Sequence, residues 1–249
     1  VSLPLPSRRD EAWRYADHKA VAAHWPPPPA RLIRVPAGGT AEEVVRVGEG
    51  GIHDLRVELK AGARLVLAVA VNAPGYARVA LQADLHAGAA LDLGGVVLAA
   101  GDACGELVTD IRHLEPGAES RQRVRLVLDD RATGSFLGRI AVARDAQQTD
   151  AAQSARALVL KRTATANLKP ELEIFADDVK CAHGCTVGEL DRAALFYLES
   201  RGVPPAEAQA LLTQAFVADA FEGLADAATR ESLQEEARDW LAARTEVRA

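Results

Sequence analysis

The sequence predicts a mainly β chain: a solenoid of β-coils with a short helical segment before it and a helical domain after it. Three observations predict this. Apolar and polar residues alternate with period two in segments between Arg31 and about Cys185, the mark of strands with one buried face. Corners of small residues punctuate these segments at nearly constant intervals. Beyond Cys185 the apolar spacing changes to that of amphipathic helices. The expected organisation is a helical and linker segment at 1–30, a β core at 31–187 and a helical domain at 188–249.

In chain order, residues 7–24 are polar with apolar positions at Trp13, Ala16, Ala20 and Val21. They read as one short, weakly amphipathic helix with Ser7 or Asp10 as N-cap. Four prolines, Pro26 to Pro29, end it and form a stiff connector. Alternation then appears in Ile52–Leu59, Tyr76–Leu81 and Arg123–Leu126. The corners Ala61-Gly62-Ala63 and Ala87-Gly88-Ala89 lie 26 residues apart, and Pro116-Gly117-Ala118 follows after 29 more. A corner-and-strand unit at this period predicts stacked coils, each burying its inner face on the next. An antiparallel sandwich produces the same alternation, and turn spacing does not separate the two folds.

Past Cys185, Leu190, Ala193, Ala194, Tyr197 and Leu198 fall on one helical face, and Gly202 stands where a terminating glycine belongs. Pro204-Pro205 opens a second helix carrying Ala208, Leu211, Leu212, Ala215, Phe216, Ala220 and Phe221. A third helix, Ala227 to Arg244, is charged, with a narrow stripe of Leu233, Ala237, Trp240 and Leu241. Phe216, Phe221 and Trp240 serve either internal packing or a partner surface.

Composition excludes several function classes. A net charge of −6 provides no basic surface for nucleic acid. The excess of arginine over lysine, 24 to 5, and the abundance of alanine read as coding bias. Three cysteines, two of them four residues apart, are too few for a disulfide framework and point to a reducing compartment. No secretory pattern opens the chain, and no apolar run approaches the roughly 18 residues of a membrane span. A soluble cytoplasmic protein is therefore expected. None of the five lysines follows a glycine, so no P-loop is present, and neither a Gly-x-Ser-x-Gly elbow nor a His-Glu-x-x-His pair occurs. Histidines 18, 24, 53, 86 and 113 are scattered among polar neighbours and read as surface or satisfied side chains.

The segment Asp177 to Thr186 differs. Cys181, His183 and Cys185 stand at i, i+2 and i+4, so on a strand all three project from one face. Thiolate and imidazole together suit zinc, copper or iron–sulfur species. Alternate residues on a strand lie about 6.8 Å apart, too far for three of them to grip one compact ion unless the strand bends. An open site at an edge, completed by another protein, fits this spacing. Inert buried cysteines with His183 capping a turn beside Gly184 is the alternative.

Lys169 through Gly184 resembles, nearly word for word, the C-terminal signature of the SufB/SufD family. Arg144 to Gln153, with its Asp-Ala-Gln element, Thr186 to Asp191, and Ala194 to Gly202 are similar to family stretches too. Arg9 to Tyr15 resembles the family's N-terminal Trp-Arg-Tyr element. The Cys-x-His-Gly form is similar to SufD rather than SufB. The resemblance implies a right-handed parallel β-helix flanked by helices and a non-enzymatic scaffold of SUF iron–sulfur cluster assembly. It implies pairing with SufB through the β-helix ends and docking of the ATPase SufC on the C-terminal helices, around Gln214, Phe216 and Phe221. A transient iron–sulfur cluster at the SufB interface is implied as cargo, with His183 as ligand and Cys181 beside it. Cys185 departs from the family pattern, and a ligand role for it is this sequence's own addition. The region between Tyr15 and the first strand is shorter than in the family. A purely structural partner of SufB and SufC, or a homodimer of the chain, is the alternative reading.

Overall fold

The structure is a computed structural model that describes residues 3–246. Its strands are β1 (Arg31–Val35), β2 (Thr40–Val47), β3 (Gly51–Leu59), β4 (Arg64–Val71), β5 (Tyr76–Leu85) and β6 (Ala90–Ala99). They continue as β7 (Cys104–His113), β8 (Glu119–Leu128), β9 (Thr133–Val142), β10 (Thr149–Val159), β11 (Thr165–Ile174) and β12 (Val179–Gly188). Odd-numbered strands form one six-stranded sheet and even-numbered strands a second, each in sequence order. Every strand pairs in parallel with the strand two places along the chain. An antiparallel sandwich would pair neighbours through hairpins, so this pairing selects the parallel β-helix.

The corner interval read in the sequence is the register step of the solenoid. Arg64 pairs with Ala90, 26 residues on, and Ala90 with Glu119, 29 residues on. At the corners Gly62, Gly88 and Gly117 take φ of +68°, +62° and +71°, a region glycine enters without a Cβ penalty. The amide of each donates to a carbonyl in the corner of the next coil: Ala87, Pro116 and Gln147. The corner after that places Gln148 at φ +60°, and its amide donates to Asp178.

Between the sheets, inward side chains stack in columns, one rung per coil. The early rungs are apolar: Leu67 lies in register with Leu93, Leu65 with Leu91, Leu55 with Leu81 and Leu59 with Leu85. Each is buried, and each such side chain stabilises the coil by roughly 1.5–3 kcal/mol. The next rungs of the same columns turn polar. Leu93 is followed by Gln122, Leu91 by Ser120, Leu81 by Thr109 and Leu85 by His113. These pair across the interior, Thr109 Oγ1 donating to Gln122 Oε1 (2.7 Å) and His113 Nε2 sharing a hydrogen bond with Ser120 Oγ (2.9 Å).

The helical elements are α1 (His18–Ala23), α2 (Arg192–Ser200), α3 (Pro205–Ala218) and α4 (Ala227–Glu246). The expected single N-terminal helix is two pieces, a 3-10 turn at Glu11–Trp13 and α1. Asp17 divides them: its carboxylate accepts from the amides of Lys19 and Ala20, starting a new helix there. Asp10 instead accepts from Ser7. This segment lies on the outer face of the odd-numbered sheet. The Trp13 ring covers the Arg78 guanidinium at 3.8 Å, and Arg78 donates to Glu106 and to the Ala12 carbonyl. Farther along, Lys169 of β11 reaches Glu11 (2.5 Å). The even-numbered sheet is covered by α3, α4 and the turn Asp219–Phe221, which bury Ala68, Val96, Leu98 and Val127. Gly94 is required here, because a Cβ would come within 2.1 Å of the Ala220 carbonyl oxygen. Near the first coil, Arg46 pairs with Glu236 of α4, and Glu42 accepts from the Ala225 amide. No helix among the described residues is long and apolar enough to cross a membrane.

Burial depresses the His113 pKa from 6.5 to about 4, so the folded ring stays neutral where the unfolded one gains a proton. The folded-state pKa is the lower one. The contribution is therefore intact above about pH 6.5 and is lost as pH falls toward 4. About 3 kcal/mol of stability should disappear between pH 7 and pH 4 through this group. Urea melts of His113→Gln at the two pH values should lack that component; an unchanged acid sensitivity would contradict the assignment.

Candidate functional site

β12 is the last strand of its sheet, and its register sets the direction of its side chains. Cys181 pairs with Ala151, His183 with Gln153 and Cys185 with Ala155 of β10. Those three β10 residues are buried inside the solenoid, so the donor residues above them lie over the open mouth of the interior. Cys181 packs against the cluster of Ile140, Val142, Ala146, Ala151 and Ala176. Cys185 packs against the end of the main core. Both are half-buried, while His183 between them is exposed. The segment is a regular strand with the three residues on one face, and His183 is in mid-strand and caps no turn.

Burial pushes the Cys181 and Cys185 thiols up from their ordinary range, against a smaller opposing effect of hydrogen bonding with the backbone of Ala151 and Ala155. At neutral pH both are protonated thiols, and a metal ion must displace a proton to bind either. Among the described residues no group of three or more His, Cys, Asp or Glu side chains converges to hold a metal ion. Cys104 lies apart on β7, its thiol pushed up to about 12, chiefly by burial. Cys181, His183 and Cys185 share a face without converging on one point.

Around these donors the last coil is an unprotected edge. β11 and β12 each pair on one side only among the described residues. Ile174, Phe175 and Val187 are exposed there. Soluble proteins blunt such edges or use them for association.

The helices give a second candidate surface, placed differently from the sequence reading. Phe221 is 1% exposed and packs against the even-numbered sheet beside Gly94, so its role is internal packing. Phe216 is half-buried beneath the Arg125 guanidinium, which pairs with Asp219. Gln214 is also half-buried. The outward aromatics are instead Phe196 (72%) and Tyr197 (57%) on α2, joined by Leu211 on α3. Tyr197 was expected on the buried face of its helix. α2 buries no residue, because it packs mainly on α3 rather than on the solenoid. Adjacent large aromatics in so charged a sequence were the available signal, but helical period alone does not show that a helix stands off its core.

A family model described as "SUF system FeS cluster assembly, SufBD core domain" matches residues 50–216. Over 118 residues the chain is 40% identical to the iron–sulfur cluster assembly protein SufD of Escherichia coli, covering 47% of this chain and 28% of that protein. Identity is 38% over 130 residues to a SufBD family protein of Synechocystis, covering 52% of this chain and 28% of the relative. The SufD protein of Bacillus subtilis is 33% identical over 123 residues, covering 49% and 28%. The chain thus spans just over a quarter of the length of these relatives.

The raised thiol pKa values have a direct readout. Alkylation of Cys181 and Cys185 by iodoacetamide near pH 8 should be slower than that of free cysteine and should keep rising past the usual thiol range of about 8.5. Rates equal to those of free cysteine would show that burial does not govern them.

Proposed function

The chain belongs to the SufBD core family, and on that premise we propose that it is a non-enzymatic scaffold of iron–sulfur cluster assembly. Its open last coil would pair with a SufB partner, and its α2–α3 face would dock the ATPase SufC. The observation that carries this reading is β12: an edge strand, paired on one side only, presenting two thiols and an imidazole over the mouth of the solenoid. Iron enters as cargo. His183 is the accessible donor and the half-buried Cys181 and Cys185 stand on either side. Since they do not converge, the partner must supply the remaining donors, and no tightly bound cluster is expected on the chain alone. Binding requires neutral imidazole and thiolate, so cluster retention should weaken as pH falls.

A purely structural role is the second reading, favoured by the protonated, half-buried thiols. One experiment separates the two. His183→Ala in the assembled complex should lose most of its cluster yield while the subunits still co-purify; a normal yield would leave only the structural role. The imidazole is exposed, so its removal should not disturb the fold.

The α2 surface has its own test. Phe196→Asp should weaken co-purification of the ATPase subunit by about tenfold, roughly 1.4 kcal/mol, with the circular dichroism spectrum unchanged. Undiminished association would move the docking site elsewhere.

A further inference from the structure

The polar column inside the solenoid ends at the candidate ligand. Gln122 of β8, Gln153 of β10 and His183 of β12 occupy successive rungs of one inward-facing column. The facing column in the other sheet runs Thr109, Gly138 and Pro170. In the lowest rung Thr109 donates to Gln122. In the middle rung the facing residue is glycine, and the Gln153 amide fills the space: a Cβ on Gly138 would meet Gln153 Nε2 at 2.0 Å. Gln153 is 2% exposed, and both its Oε1 and its Nε2 lack a hydrogen-bond partner. A buried amide with neither end satisfied destabilises the fold, so its presence in place of leucine requires a reason.

We propose that Gln153 is a positioning residue for His183. Its Oε1 accepts from one ring N–H of the imidazole, which leaves the lone pair of the other nitrogen facing out of the solenoid. The two residues stand in register on the same face one strand spacing apart, about 4.8 Å, a gap that the proposed hydrogen bond closes by rotation of the exposed ring. Gly138 seats the amide, and Thr109 with Gln122 supplies a polar floor. A second partner of this kind fixes the tautomer and heading of a ligating histidine. The proposal rests on His183 being a donor to iron, but the hydrogen bond is a property of the metal-free chain.

The test uses the full chain labelled with 15N-histidine, at a pH near 8.5 where an ordinary imidazole is neutral. The His183 ring signals are assigned by their loss in His183→Ala. Wild type should show a single tautomer. Gln153→Met, which keeps the shape and discards the polar atoms, should give the mixed tautomers of a free imidazole. Gln153→Glu, whose carboxylate accepts the same N–H, should restore the wild-type tautomer, which a merely structural role would not do. Gln153→Leu is the second apolar variant should the methionine pack poorly. Identical ring shifts in wild type and the apolar variants would overturn the proposal. In the assembled complex, Gln153→Met should lower cluster retention by about tenfold. If His183→Ala leaves cluster yield intact, the ligand reading fails while the tautomer result stands. If the tautomer is unmoved and His183→Ala abolishes the cluster, Gln153 has no such role and the ligand reading survives.

Discussion

Everything in this molecule depends on parallel pairing of each strand with the strand two places along the chain. A one-residue slip in a strand turns every side chain to the opposite face. The ten pairings here hold their register, so each column keeps one direction through the whole stack. Leucine sits over leucine in the early coils and polar group over polar group in the later ones. The same rule places Cys181, His183 and Cys185 over the interior. They face the open end because Ala151, Gln153 and Ala155 face the core beneath them.

The site is thus an unfinished part of the core. In an interior coil these three positions would be sealed by the coil above. At the end of the stack they remain partly open, the thiols retaining enough apolar contact to stay protonated and the imidazole projecting between them. The polar drift of the interior fits this location. Apolar rungs build stability in the first coils, the hydrogen-bonded rungs belong to the coil of β7 and β8, and the unpartnered Gln153 amide lies directly beneath the donor strand.

Much of this was legible in the sequence. The corner interval is the register step because each corner glycine marks the same place in successive coils. The one-faced donor strand follows from i, i+2, i+4 spacing, and proline and glycine marked the limits of α2 and α3. Four things were not legible. Local alternation carries no information on whether a strand pairs with its neighbour or with the strand after it. The N-terminal helix splits because Asp17 competes as a cap, although its apolar spacing continues across the break. Phe221 took the internal-packing role that the sequence had left open against a partner surface, while Tyr197 is exposed, because burial of a helical face depends on which element lies opposite. The Gln153–Gly138 match was invisible for a similar reason, since it joins residues on different sheets.

Stacked coils couple only to their neighbours, so a bare solenoid frays from its ends like a one-dimensional chain of units. This molecule carries a splint on each face. The N-terminal segment is pinned at Arg78 of β5 and again at Lys169 of β11, while α4 and the turn before it reach back along the other sheet to Glu42 and Arg46 of β2. These contacts bridge coils that do not touch, the N-terminal segment joining β5 to β11 and the helical layer joining β2 to β6 and β8. The open mouth of the solenoid at β12 thus adjoins a strand, β11, that is fastened through Lys169 and Glu11 to coils deeper in the stack.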